Sequence, residues 1–185
     1  MLPLPAPPTA PYVSKLQASE HLLISPPLVL KALDAGILCG PLVNGAPKVD
    51  SASLMAALAK PRTSVAVGDT VFRIAPLALD PDHDRVGVRS HSGWHAQDSL
   101  TLTKPMRRRA WTGCWNLGRA ASDLLGSTVA AAVSGFVVDE AVVVDYENCP
   151  FDGLINLIVV DVQPDAAKYL GRRIPVVRGP LWTRL

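Results

Sequence analysis

Charge is scarce in this chain. Of its 185 residues only 18% are Asp, Glu, Lys or Arg, and the formal net charge is +2. A chain that holds nucleic acid by charge alone carries a larger excess, so any such role must rest on local patches. A surface this dilute in charge also leaves neutral groups for an oligomer or partner interface. Aromatic residues are scarcer still, at 5%. The three cysteines, Cys39, Cys114 and Cys149, are odd in number and form no CxxC pair. That spacing argues against a zinc knuckle and reads as buried thiols in a reducing compartment. No segment reaches the roughly 18 consecutive apolar residues of a membrane helix; residues 128–144 are broken by Ser134, Gly135, Asp139 and Glu140. The start, MLPLPAPPTAP, lacks the basic and apolar regions of a signal peptide. These absences point to a cytoplasmic protein with no membrane contact.

What is present suffices for a packed core, because 49% of residues are hydrophobic. Five prolines in the first eleven residues make residues 1–13 an extended arm rather than an element. A short helix is expected over Ser14–Leu23. Ser25 before Pro26-Pro27 is a helix-start signal. Leu28, Val29, Ala32 and Leu33 follow at helical spacing, and Gly36 suits the position just past the helix end. Asn44-Gly45 is the preferred pair for a tight hairpin. Asp50 or Ser51 then caps a second helix bearing Leu54, Met55 and Leu58, which Pro61 stops.

This order resembles the excisionase-like, MerR-type winged helix. The residues that carry the resemblance are Leu33, Gly36, Leu38, Val43, Gly45, Val49, Asp50, Leu54 and Leu58, within residues 20–60. It implies a winged-helix-like unit over residues 14–61 that contacts double-stranded DNA through its helix and wing. Members of that family place several basic residues there. Here the cations are Lys31 and Lys48, with Lys60 and Arg62 just after, so weak contact is expected from this unit alone. Packing or dimerisation is the alternative use of the same shape.

Residues 62–185 read as β-rich. Val65, Val67, Val71 and Ile74 are the inward positions expected around a Gly68-Asp69 turn. Short strands are expected in DRVGVRS and in STVAAAVSGFVVDEAVVVDYE, the latter splitting at Ser134-Gly135 and near Asp139-Glu140. LINLIVVDVQP is apolar enough to be a strand buried on both faces. One helix, Asn116–Leu125, interrupts them. The expected fold is therefore α+β: a small winged-helix-like unit followed by a β-barrel-like domain with one helix. The tryptophan-bearing segment, the helix and the AAAVSGFVVDEAVVV pair are similar in pattern to the small PUA-like barrels of the EVE and ASCH types, some of which hold a base in an aromatic pocket.

Three of the four tryptophans fall within 22 residues, and Arg107, Arg108 and Arg109 directly precede Trp111 and Trp115. A flat ring beside guanidinium groups suits a nucleobase and its phosphate; alternatively, Trp111 and Trp115, four apart, are core residues. The candidate nucleic-acid contacts are Lys31, Lys48, Arg107, Arg108, Arg109, Trp111, Trp94, Arg172 and Arg173. Asp82, His83, Asp84, His91 and His95 form a polar stretch, but Gly93 argues against a helix and no HExxH acid is present, so no metal site is expected. No GxSxG, GxGxxG or Walker loop occurs, and neither catalytic residues nor a cofactor is expected. The favoured expectation is a nucleic-acid-binding regulatory protein; the alternative is a protein-interaction or assembly module, with a second copy or another protein as partner.

Overall fold

A computed structural model describes residues 8–82, 84, 89–150, 153–176 and 182–184. His83, Arg178, residues 1–7 of the proline-rich arm and most of the strand expected over residues 84–90 lie outside the described residues.

The first part runs β1 (Tyr12–Ser14), α1 (Lys15–Leu22), α2 (Pro26–Asp34), β2 (Leu42–Val43), β3 (Ala46–Asp50) and α3 (Ser51–Ala59). Each boundary has a local cause. Ser14 and Gln17 form a reciprocal capping box at the start of α1. Pro26 opens α2, although the Ser25 side chain makes no cap bond. Gly36 follows α2 at φ +66°, where a Cβ would also press on the His95 ring. Asn44 and Gly45, at φ 53° and 74°, make the hairpin turn. The Asp50 carboxylate accepts from the Ala52 and Ser53 amides to cap α3. β3 is the middle strand of a small sheet ordered β1-β3-β2. Leu22, Val29, Leu38, Val49 and Leu54 fill the core between these elements.

The second part runs β4 (Thr70–Arg73), β5 (Ala78–Leu79), β6 (His91–Ser92), α4 (Asp98–Thr101), α5 (Lys104–Thr112), α6 (Ala120–Asp123), β7 (Thr128–Val133), β8 (Phe136–Asn148), β9 (Ile155–Asp161) and β10 (Trp182–Arg184). The protein is α+β, but no closed barrel is formed among the described residues. The large sheet is open, in the order β10-β4-β7-β8-β9, with β4 and β7 parallel and the other pairs antiparallel. Three helices, not one, accompany it, and the helix expected over Asn116–Leu125 shrinks to the four residues of α6. The arginine run, outside the one helix expected here, is helix α5.

The sheet has two unequal faces. On one, Phe72, Val129, Ala131, Val133, Ala141 and Val143 pack with Trp111 and Trp115. On the other, Tyr169 with Val65 and Ile174 covers Val71, Ala130, Ala132 and Val137. Val71 and Ile74 therefore serve opposite faces, and Val67 points to solvent at 95% exposure. The split at Ser134-Gly135 is a turn with both residues at positive φ. β8, by contrast, passes through Asp139-Glu140 unbroken. β9 is not buried on both faces: its pairs Val142↔Val160 and Asp145↔Ile158 set Ile158 and Val160 on the less covered side.

The two parts are joined by specific contacts. Ile37 packs on both cores. The Ser134 hydroxyl donates to the Leu28 carbonyl at 2.8 Å and the Ala96 amide to the Ala35 carbonyl at 2.8 Å. Buried Arg173 donates to the Leu22 carbonyl and stacks on Phe136, 5.4 Å from its centroid. Cys114 and Cys149, expected to be thiols, form a disulfide with Cα atoms 5.6 Å apart; Cys39 is free and exposed rather than buried. No described helix is long and apolar enough to cross a membrane.

Candidate functional site

Four of the candidates singled out by the sequence, Arg107, Arg108, Arg109 and Trp111, lie on α5, and Trp94 lines a cavity beside it. Thr103 caps this helix by accepting from the Met106 amide at 3.5 Å, Pro105 occupies its first turn, and Gly113 ends it. Trp111 anchors it. Its ring is 1% exposed, and its indole N–H donates to Asp139 at 2.8 Å. Trp115 follows in the core, donating to the Trp111 carbonyl at 2.7 Å and lying 4.7 Å from the Phe72 ring. Trp111 is enclosed in the core and cannot stack on a base in this arrangement, and Trp115 is 9% exposed and packs on Phe72.

Anchoring Trp111 inward turns the basic residues of α5 along the acidic rim of the sheet. Arg108 Nε lies 3.1 Å from Asp139 and its Nη2 2.8 Å from Asp161. Lys104 also pairs with Asp161, and Arg109 Nη1 lies 2.8 Å from Glu147. Burial pushes the Asp139 carboxyl above its ordinary value, against the opposing pull of Arg108. Asp161 is held below its ordinary value, first by the hydrogen bond from Lys104. Two groups are left over. Arg107 makes no ion pair among the described residues, and Arg108 Nη1 is buried without a hydrogen-bond partner.

A cavity of about 180 Å3 opens at the first turn of α5, lined by Trp94, Lys104, Arg107, Arg108, Val138 and Asp139. Of the sequence candidates, it gathers Trp94, Arg107 and Arg108. Arg109, the next residue, lies with Arg108 beside a separate groove of about 510 Å3 between α5 and β9. The others are elsewhere. Lys31 is exposed on α2, and Lys48 is half-buried in β3. Arg172 is exposed, but Arg173, expected at a basic rim, is 6% exposed and serves as the joint described above. A third cavity, about 510 Å3, is lined by Arg73, Arg89, Ser92, Cys114 and Trp115 among others; Arg89 is committed there to Asp80 at 2.8 Å.

The polar stretch is structural where it is described. His95 Nδ1 accepts from the Asp98 amide at 3.0 Å, capping α4, and no His, Cys, Asp or Glu cluster among the described residues could hold a metal. Sequence reasoning missed Asp139, Glu147 and Asp161. The signal was available for Asp139 alone, because an acid inside a valine-rich strand is costly unless paired; Glu147 and Asp161 are half-exposed at strand ends and carry no such signal. Comparison with family models, curated proteins and solved structures found no match to this chain.

Proposed function

We propose that the chain is an assembly module that packs against a second copy of itself through the β8–β9 half of the large sheet. The observation that carries this reading is the uneven cover of one sheet face. Over β4 and β7 the chain covers its own apolar residues with Tyr169, Val65 and Ile174. Over β8 and β9, Ile158 and Val160 remain 39% and 48% exposed, with Val144 beside them. An apolar patch rimmed by Asp145 has little charge to repel its own copy, and a two-fold axis sets like against like. The arginine run supports the same reading, because Arg108 and Arg109 are engaged by the chain's own carboxylates. Groups so engaged are poorly placed to neutralise phosphate.

Sedimentation of the full chain and of an Ile158→Glu/Val160→Glu double variant tests the proposal. A dimer that the variant converts to monomer, with unchanged circular dichroism, is the expected result. A wild-type chain that stays monomeric at high concentration rejects it. A second reading, DNA contact by the first part, is favoured by exposed Lys31 on α2 and by Lys48 on the hairpin. It expects duplex binding that weakens in Lys31→Gln and falls steeply with salt.

A further inference from the structure

We propose that the cavity at the first turn of α5 binds a small monocarboxylate, with the carboxylate on Arg107 and Arg108 and the apolar body against Trp94 and Val138. Four observations converge on this. First, the cavity joins charge to an apolar wall: Lys104, Arg107 and Arg108 on one side, Trp94 and Val138 on the other. Such a mixed lining suits a ligand with one ionic end. Second, Arg107 is a half-buried cation on the cavity wall with no ion-pair partner among the described residues, and such a guanidinium is a ready partner for a carboxylate oxygen. Third, Lys104 and Arg107 lie in the first turn of a helix that has no acidic residue there, and Arg108 follows directly. The helix dipole places partial positive charge at the same point, and an anion relieves both.

The fourth observation sets the ligand's charge and size. Asp139 lines the cavity and Asp161 engages Lys104 and Arg108 just outside it. Three cations against two carboxylates leave one positive charge, which matches a monoanion and disfavours a phosphate dianion held near Asp139. At about 180 Å3 the cavity is smaller than the pockets that enclose drug-sized ligands, and it suits a short or single-ring acid. This site is separate from the β8–β9 surface and does not depend on the self-assembly reading.

Cyclohexanecarboxylate is a suitable probe because it is transparent where tryptophan emits. The full chain is titrated with it at constant ionic strength, with cyclohexanecarboxamide and inorganic phosphate in parallel. Saturable quenching by the carboxylate is expected, with the amide and phosphate about tenfold weaker or more, the loss of roughly one charge-assisted hydrogen bond. Arg107→Gln should weaken the carboxylate by a similar factor while leaving circular dichroism unchanged, and Lys31→Gln should have no effect. Trp94→Phe should retain binding, read by NMR line shifts, but lose most of the quenching. Absence of saturation, equal binding by Arg107→Gln, or phosphate binding tighter than the carboxylate would each overturn the proposal.

Discussion

Glu140 is a buried carboxylate inside a strand, and its surroundings explain why it is tolerated. Its two oxygens accept from the backbone amides of Lys168, Tyr169 and Leu170 at 3.0, 2.9 and 2.9 Å. The charge is solvated by three peptide dipoles, and the loop that covers one sheet face is tied down by the same bonds. Glu140→Ala should cost about 3 kcal/mol by leaving these amides unpaired, and Glu140→Gln roughly half that, because it keeps one oxygen. Urea denaturation measures both. Asp139 and Asp161 make opposite pH signatures. The Asp139 carboxyl is raised by burial from the ordinary 3.8, so its contribution to stability is complete below that value and is lost as pH rises through its folded value. The Asp161 carboxyl is lowered, so its contribution is present above 3.8 and is lost as pH falls through its folded value. Relative to wild type, Asp139→Asn should therefore gain stability as pH rises from about 3.8 to neutrality. Asp161→Asn should be less stable than wild type above pH 3.8, and that deficit should close as pH falls below 3.8 through the folded value of Asp161. Denaturant melts across both ranges decide the signs.

At the scale of elements, α5 shows how adjacent arginines can differ. Arg108 bridges Asp139 and Asp161, whereas Arg107 faces the cavity with no ion pair among the described residues. Arg108→Ala should cost about 2–3 kcal/mol, because it leaves the half-buried Asp139 uncompensated. Arg107→Ala should stay within about 0.5 kcal/mol. Equal costs in thermal melts would mean that the pairing is not what distinguishes them. The helix itself was not legible, since RRRAWTGCW suits a strand as well as a helix when read by spacing alone. The α2–hairpin–α3 stretch was legible, since Pro26, Gly36, Asn44-Gly45 and Asp50 each act on their own backbone and need no distant partner.

The whole molecule is held by contacts that cross its apparent boundary near residue 61. Arg173 reaches the Leu22 carbonyl, Ser134 reaches Leu28, and Ile37 belongs to both cores. Unfolding should therefore be a single transition, with tryptophan emission and far-ultraviolet circular dichroism coincident in urea. The Cys114–Cys149 bond spans 35 residues of sequence, and reducing it should lower stability by up to about 4 kcal/mol through loop entropy. Native alkylation should label Cys39 alone, and all three cysteines should react only after reduction and unfolding.

The sequence by itself determined the local pieces: the mixed α+β content, the caps and turn of the first part, and the Ser134-Gly135 turn of the sheet. These depend on φ preferences and on side chains that bond within a few residues of themselves. Only the tertiary structure decided which residues meet. It closed Cys114 on Cys149, turned Trp111 into the core, buried Arg173, and set Arg108 and Arg109 against Asp139, Asp161 and Glu147. It also left the sheet open with Ile158 and Val160 uncovered. Each of these follows from pairing between segments tens of residues apart, set by strand register and by the direction α5 takes across the sheet. Hydrophobic spacing along the chain carries neither quantity.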